Sequence, residues 1–167
     1  GIASGAGHIF GATGGVMEAA LHTAANILDN TNEKVEFRDV RGTPGIKEAT
    51  YRIAGMEVDV CVASGLANAR KVVEMIKSGE KKYLFVEVMA CPGGCVNGGG
   101  QPVQSDSVRN YVDLKSLRAA VLYNSDKENV LRHSHESPVC KMHYDEYLTK
   151  PGKGKAHSLL HTSYTPR

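Results

Sequence analysis

The sequence predicts an α/β domain: a sheet with parallel βαβ character, flanked by helices and followed by a mostly helical C-terminal tail. Three observations carry that prediction. Two apolar runs of strand length, 56–63 and 83–89, bracket one helical pattern in the order of a crossover unit. A second helical pattern precedes them at 15–28. Beyond Pro102 the pattern changes to short helical and polar stretches with little core-forming periodicity. At 167 residues, 41% hydrophobic and 23% charged, the chain fits one soluble domain with a real core.

Taken in order, residues 1–15 (GIASGAGHIFGATGG) read as a flexible loop ending at a helix start, with Thr13 as N-cap. From Gly15 to Leu28, the residues Met17, Ala20, Leu21, Ala24 and Leu28 share one helical face. Glu18 suits the first turn of that helix, and Asp29-Asn30 ends it. A strand is expected over Val35–Val40, then a turn at Thr43-Pro44-Gly45. Ala49–Ala54 and Met56–Ala63 form a hairpin about Gly55. Ser64-Gly65 opens the clearest helix, with Leu66, Ala69, Val73 and Ile76 on one face and Gly79 as its stop. Tyr83–Met89 is the next strand, and a glycine-rich loop with two cysteines leaves its end. In open α/β sheets that edge is where ligands bind. Leu114, Leu117 and Val121 mark a further helix, the stretch from Asn124 to His135 is polar, and short helices are expected at Val139–Leu148 and Ala156–His161.

Composition excludes several function classes. The net charge is +2 with both signs interleaved, which argues against a nucleic-acid surface. No apolar run approaches the roughly 20 residues that span a bilayer, and no N-terminal segment reads as a signal peptide. A cytoplasmic location is the expectation. The chain begins at Gly1 without a methionine, as a processed protein or a piece of a longer polypeptide would. Its four cysteines, Cys61, Cys91, Cys95 and Cys140, lack the spacing of a disulfide framework, so metal binding is the better reading for the close pair.

The chemistry concentrates in Phe85–Pro102, FVEVMACPGGCVNGGGQP. Two thiolates separated by Pro-Gly-Gly converge on one cluster if the chain folds back, and glycines permit the positive φ that this needs. Glycines also let backbone N–H groups face bridging sulfides, which tunes an iron–sulfur centre. Soft thiolates select iron–sulfur clusters or zinc. By spacing alone, a strained disulfide or a reduced, inert pair competes. A radical-SAM motif is less attractive, because Gly98 stands where a third cysteine is needed.

The whole string resembles the third cluster-binding signature of iron-only ([FeFe]) hydrogenases, through Glu87, Met89, Ala90, Cys91, Gly93, Gly94, Cys95, Gly98, Gly99, Gly100, Gln101 and Pro102. GAGHIFGATGGVMEAALHTA, VASGLANARKVVEMIKSGE and YLTKPGKGKAHSLLHTSY resemble further segments of the same family, in the same order. The resemblance implies one lobe (1–123) of a two-lobed catalytic domain, with a small-subunit-like helical tail (124–167). It implies that Cys91 ligates a [4Fe–4S] cubane and that Cys95 bridges this cubane to a di-iron unit with CO and cyanide ligands. Gly93 and Gly94 belong to the same cofactor-binding loop. Met89 and Phe10 would line the di-iron pocket; simple core packing is the competing reading of both. The implied reaction is reversible oxidation of H2 to protons and electrons.

That family needs four cysteines on the cubane, two of them from signatures absent here. Cys61 and Cys140 read as inert small side chains. The expected partner is therefore the upstream half of the catalytic domain, docked on an exposed apolar face. A ferredoxin or another electron carrier is the second partner, and the Lys150–Lys155 loop could guide an acidic one, although such loops are usually just solvated. His157 and His161 have the i, i+4 spacing of a zinc pair, without an acidic companion. His133 and His135 read as solvated. The rival reading is a non-catalytic narfin-like iron–sulfur assembly protein, or a sensory hydrogenase homologue.

Overall fold

Alternation along a strand puts Val58, Val60 and Val62 on one face and Cys61 and Ala63 on the other, and all five are buried. This run is the central strand β2 (Met56–Ser64). Cover on both faces is why it reads as an almost continuous apolar segment. β1 (Ile46–Ile53) pairs with it antiparallel and β3 (Phe85–Met89) parallel, in the order β1-β2-β3. The structure, a computed structural model, describes residues 2–29, 40 and 45–165. The strand expected at Val35–Val40 lies outside the described residues except for Val40, as do Thr43 and Pro44 of the expected turn.

The hairpin turn is the one expected. Ala54 and Gly55 have φ of 50° and 75°, so two left-handed residues join Ile53 to Met56, the type I′ pattern whose twist suits the strands. Helix α2 (Gly15–Asp29) lays Met17, Leu21 and Ala25 on the Val58–Val60–Val62 face. Its last residue accepts the Ala54 N–H at 2.7 Å, which ties helix to hairpin.

Helix α3 (Leu66–Lys77) completes the predicted β2-α3-β3 crossover, but with a different face inward. Val72, with Ala69 and Met75, packs on Cys61, Ala63 and Val86. Leu66, Val73 and Ile76 stay exposed. The helix carries two overlapping apolar stripes, and the geometry of the crossover, not the periodicity, selects between them.

The N-terminal stretch is not the flexible loop expected. Residues Gly5–Ile9 form a short helix, α1, with Ala6 and Ile9 buried. Its first N–H groups are satisfied from far along the chain: Gly5 N–H donates to Leu131 O at 2.8 Å and Ala6 N–H to Arg132 O at 2.9 Å.

The tail comprises α4 (Asp106–Arg109), α5 (Leu114–Glu128), α6 (Pro138–His143) and α7 (Gly154–Leu160). Helix α5 runs through residues 123 and 124 without a break and packs on α1. Leu117 and Val121, two of the residues that mark this helix in the sequence, are exposed, and Tyr123 packs against Ala6, Ile9 and Ala19. A buried ion pair, Arg132 Nη2 to Asp126 Oδ2 at 2.6 Å, joins the end of α5 to the strand-like segment that caps α1.

His133 and His135 are half-buried rather than solvated, because the turn Ser134–Glu136 lies against α2. A His135 ring nitrogen shares a hydrogen bond with Asn26 of α2 at 2.9 Å. His133 meets Glu136 at 3.0 Å. Beneath them Glu18 is fully buried, 3.3 Å from His22. Among the described residues, no helix is long and apolar enough to cross a membrane.

Candidate functional site at the end of β3

Strand β3 ends at Met89, and the chain turns at once through Cys91-Pro92-Gly93-Gly94. Gly94 N–H donates to Cys91 O at 2.9 Å, with proline second and a φ of 89° at the third residue, the signature of a type II turn. One 3₁₀ turn, Cys95–Asn97, follows. The Asn97 side-chain amide donates back to Pro92 O at 3.0 Å. The fold-back expected of this loop is present, and it leaves both Cys91 and Cys95 free and exposed.

The loop is held from three directions. Gly93 and Gly94 are buried against the α1–α2 connection: Thr13 N–H donates to Gly93 O at 3.2 Å, and Val96 N–H to Gly11 O at 3.1 Å. From inside β3, Glu87 accepts the N–H of Gly14 at 2.8 Å and of Met17 at 2.6 Å. This carboxylate, only 6% exposed, caps α2, the task expected of Thr13. The Thr13 hydroxyl is buried without a hydrogen-bond partner among the described residues. From α5, Arg118 donates to Val96 O at 3.1 Å and to Pro102 O at 2.8 Å. Neither cap nor clamp had a local sequence signal. A glutamate between two valines in a strand was the nearest hint of the first.

The other expected residues are dispersed. Met89 is half-buried at the strand end, in register with Ser64, and its carbonyl accepts the Gly65 N–H at 2.7 Å. Phe10 sits one residue before the contact with the cysteine loop, but its ring lines a separate apolar groove with Val16, Ala20, Thr23 and Ser134. Cys61 is fully buried in β2; burial first, then the nearby Glu48 carboxylate, pushes its thiol up to about 11. Cys140 is half-buried in α6. The rings of His157 and His161 stack at 4.7 Å.

No group of three or more His, Cys, Asp or Glu able to hold a metal ion occurs among the described residues. Two exposed soft thiols on a glycine loop, without a third donor, fit a cluster whose remaining ligands come from another segment. They do not fit a self-contained zinc site, which takes four ligands.

Burial pushes the Glu87 carboxyl above the ordinary glutamate range, and the N–H groups of Met17 and Gly14 draw it part of the way back. A raised folded-state pKa means the folded protein binds this proton more tightly than the unfolded chain. The associated stability is therefore present below the ordinary glutamate pKa and is lost as pH rises through the raised value. Denaturant unfolding across that window should show this slope in the wild type and its absence in Glu87→Gln. Glu87→Ala, which strands two buried N–H groups, should cost about 2–5 kcal/mol at any pH.

Comparison with known proteins agrees with this geometry. Residues 1–99 match the family model "Iron only hydrogenase large subunit, C-terminal domain", and residues 112–167 match "Iron hydrogenase small subunit". Iron hydrogenase 1 of Clostridium pasteurianum is 49% identical over 96% of this chain, which spans 28% of that protein. The [FeFe]-hydrogenase HydA1 of Chlamydomonas reinhardtii superposes with a TM-score of 0.68 at 39% identity, over 93% of this chain and 45% of the algal one. Protein NAR1 of Arabidopsis thaliana is more distant, 30% identical over 95% of this chain and 33% of its own length. The chain thus spans less than half of each of these relatives. It belongs to the iron-only hydrogenase family, matching the C-terminal domain of the large subunit followed by the small subunit.

Proposed function

We propose that this chain is part of an iron-only hydrogenase and supplies Cys91 and Cys95 to its active-site cluster. In this reading Cys91 ligates a [4Fe–4S] cubane, and Cys95 bridges it to a di-iron unit with CO and cyanide ligands. The observation that carries the reading is the seated CPGGC loop, in which Gly93 and Gly94 are buried while Cys91 and Cys95 are exposed. When bound, the di-iron unit supplies the making and breaking of the H–H bond. The protein's part is to ligate, to exclude water and to hold geometry. Gly93 and Gly94 fix the angle between the two thiols. Met89, at the strand end beside the cysteines, would wall the di-iron pocket and keep water out; the ring of Phe10 lies in the separate groove along α2, so its part in that pocket is the weaker assignment.

The remaining ligands come from the upstream half of the catalytic domain. The fraction of each relative's length spanned here supports this, as does the apolar edge of β3, where Leu84, Phe85 and Val88 are exposed. A lobe over 1–123 and a tail over 124–167 would divide helix α5, and the small-subunit match that begins at residue 112 favours assigning the whole of that helix to the tail. A ferredoxin-like carrier exchanges electrons with the whole enzyme, in the cytoplasm. The similarity to the cytosolic Fe-S cluster assembly factor narfl of Danio rerio, 30% identical over 95% of this chain, favours one second reading, a non-catalytic iron–sulfur assembly protein.

The test is anaerobic purification from cells able to mature the cofactor, with iron content and infrared absorption in the CO and cyanide stretching region. Iron and these bands are expected only when the upstream half is supplied. Bands from this chain alone would refute the two-part ligand set. Iron without bands in the presence of both halves would establish the assembly-protein reading.

A further inference from the structure

We propose that Arg118 is a positioning residue for the Cys95 side of the cluster loop, delivered by the segment that resembles the hydrogenase small subunit. The inference rests on the reading of Cys91 and Cys95 as cluster ligands.

Arg118 lies in α5, whose start is set by Asp113: its carboxylate accepts from Ser116 N–H at 3.1 Å and from the Ser116 hydroxyl at 2.6 Å. One arm of the guanidinium donates to Val96 O at 3.1 Å, the residue after Cys95. The other donates to Pro102 O at 2.8 Å. These two carbonyls flank the Gly98-Gly99-Gly100 triplet. That triplet has little else to hold it. A side-chain carbon placed at Gly99 or Gly100 would meet nothing within 4 Å. The turn bonds Gly98 N–H to Cys95 O and Gln101 N–H to Gly98 O are internal to the loop. Three successive glycines are the least ordered backbone a chain can offer. From Asn97 to Pro102, the hydrogen bond from another element among the described residues is the one from Arg118.

Two features make arginine the fitting residue. Its planar fork reaches two carbonyls at once, which the single ammonium of lysine does not reproduce. No carboxylate pairs with it among the described residues, so a full positive charge stands beside the loop that carries Cys95. A cation near a thiolate-ligated cluster favours the reduced, more negative state. Arg118 therefore closes the glycine loop and raises the reduction potential of the centre. On this view α5 does more than cover the lobe; it completes the cysteine loop.

The test uses the whole hydrogenase polypeptide, matured anaerobically. It reads iron content, the midpoint potential and EPR signature of the cubane, and hydrogen exchange of amides 96–101. Arg118→Ala should keep its iron, move the potential to more negative values, and exchange those amides roughly tenfold faster, the scale of a lost hydrogen bond to a charged group. Added guanidinium ion should return the potential toward the wild type. Arg118→Lys should keep most of the potential, while exchange in the loop still rises. Wild-type potential and exchange in Arg118→Ala would overturn the proposal. If that variant does not fold, wild-type exchange in Arg118→Lys overturns it instead. Cys95→Ala serves as the control for the underlying reading. Full iron and unchanged EPR in Cys95→Ala would refute the ligand assignment itself. A cluster disturbed by Cys95→Ala but indifferent to Arg118 would refute only the positioning role.

Discussion

Cys95→Ala in the whole polypeptide is expected to abolish H2 turnover and the CO and cyanide bands, while leaving the protein folded. The thiol is exposed and makes no packing contribution to the core, so its loss removes a ligand and little else. In the proposed role the Cys95 thiolate would hold the di-iron unit on the protein, so without it that unit would lose its anchor. Cys91→Ala should instead cost the cubane first, read as a fall in iron content, with loss of the bands as a consequence. Serine at either position keeps the shape with a harder, less ionised donor and should do little better. Full bands and full iron in Cys95→Ala would remove this residue from the site.

Gly94→Ala should be as damaging, for a mechanical reason. Gly94 has φ 89° and ψ −166°, a region that residues with a side chain hardly enter. An added Cβ would also lie 2.6 Å from Gly11 O and 2.8 Å from Thr13 N. Both neighbours are backbone, held by the bonds from Thr13 to Gly93 and from Val96 to Gly11, so neither can swing aside as a flexible side chain would. Strain of about 1–3 kcal/mol and overpacking of about 1–3 kcal/mol add to a loss comparable with a large part of a domain's stability. The expected result is a protein that unfolds at markedly lower denaturant, or that keeps its fold by releasing the cysteine loop and losing its iron. Gly99→Ala, where a Cβ meets open space, should do neither. Unfolding midpoints and iron content of the two variants side by side check the contrast.

What the sequence made legible, and what it hid, follows from the range of the forces involved. The β2 run and the turn at Gly55 are local: two-sided burial writes an apolar segment, and a left-handed turn needs glycine. The cysteine loop was equally legible, because thiols and glycines in one short string have few structural uses. The glycine-rich sequence of α1 reads as a loop because the helix is held by the carbonyls of Leu131 and Arg132 and not by its own propensity. Thr13 has the local pattern of a cap, but the cap in the structure, Glu87, reaches α2 from about seventy residues away. On α3 and α5 the periodicity revealed helices correctly but not which stripe turns inward. On α5 Leu117 and Val121 are exposed, and Tyr123 is the residue that packs against α1. His133 and His135 looked solvated because the partners that bury them lie on α2, more than a hundred residues earlier. Arg118 was invisible for the same reason: its targets are main-chain carbonyls, which every sequence offers.

The grip of α5 on both ends of the N-terminal region also bears on the chain's connectivity. α1 takes its capping carbonyls from residues 131 and 132, and the glycine loop takes its clasp from Arg118 to the carbonyls of Val96 and Pro102, whereas residues 103–111, which lead into the second family segment, contribute to neither. Val103 and Tyr111, within that stretch, stand 92% and 86% exposed. The covalent link there acts mainly as a tether that keeps the two pieces at high effective concentration. A nick among residues 103–111 should leave both clasps intact and turn one polypeptide into a two-chain complex. In architectural terms the joint is already a subunit interface, and whether one gene or two encodes its halves is a matter of tethering rather than of fold.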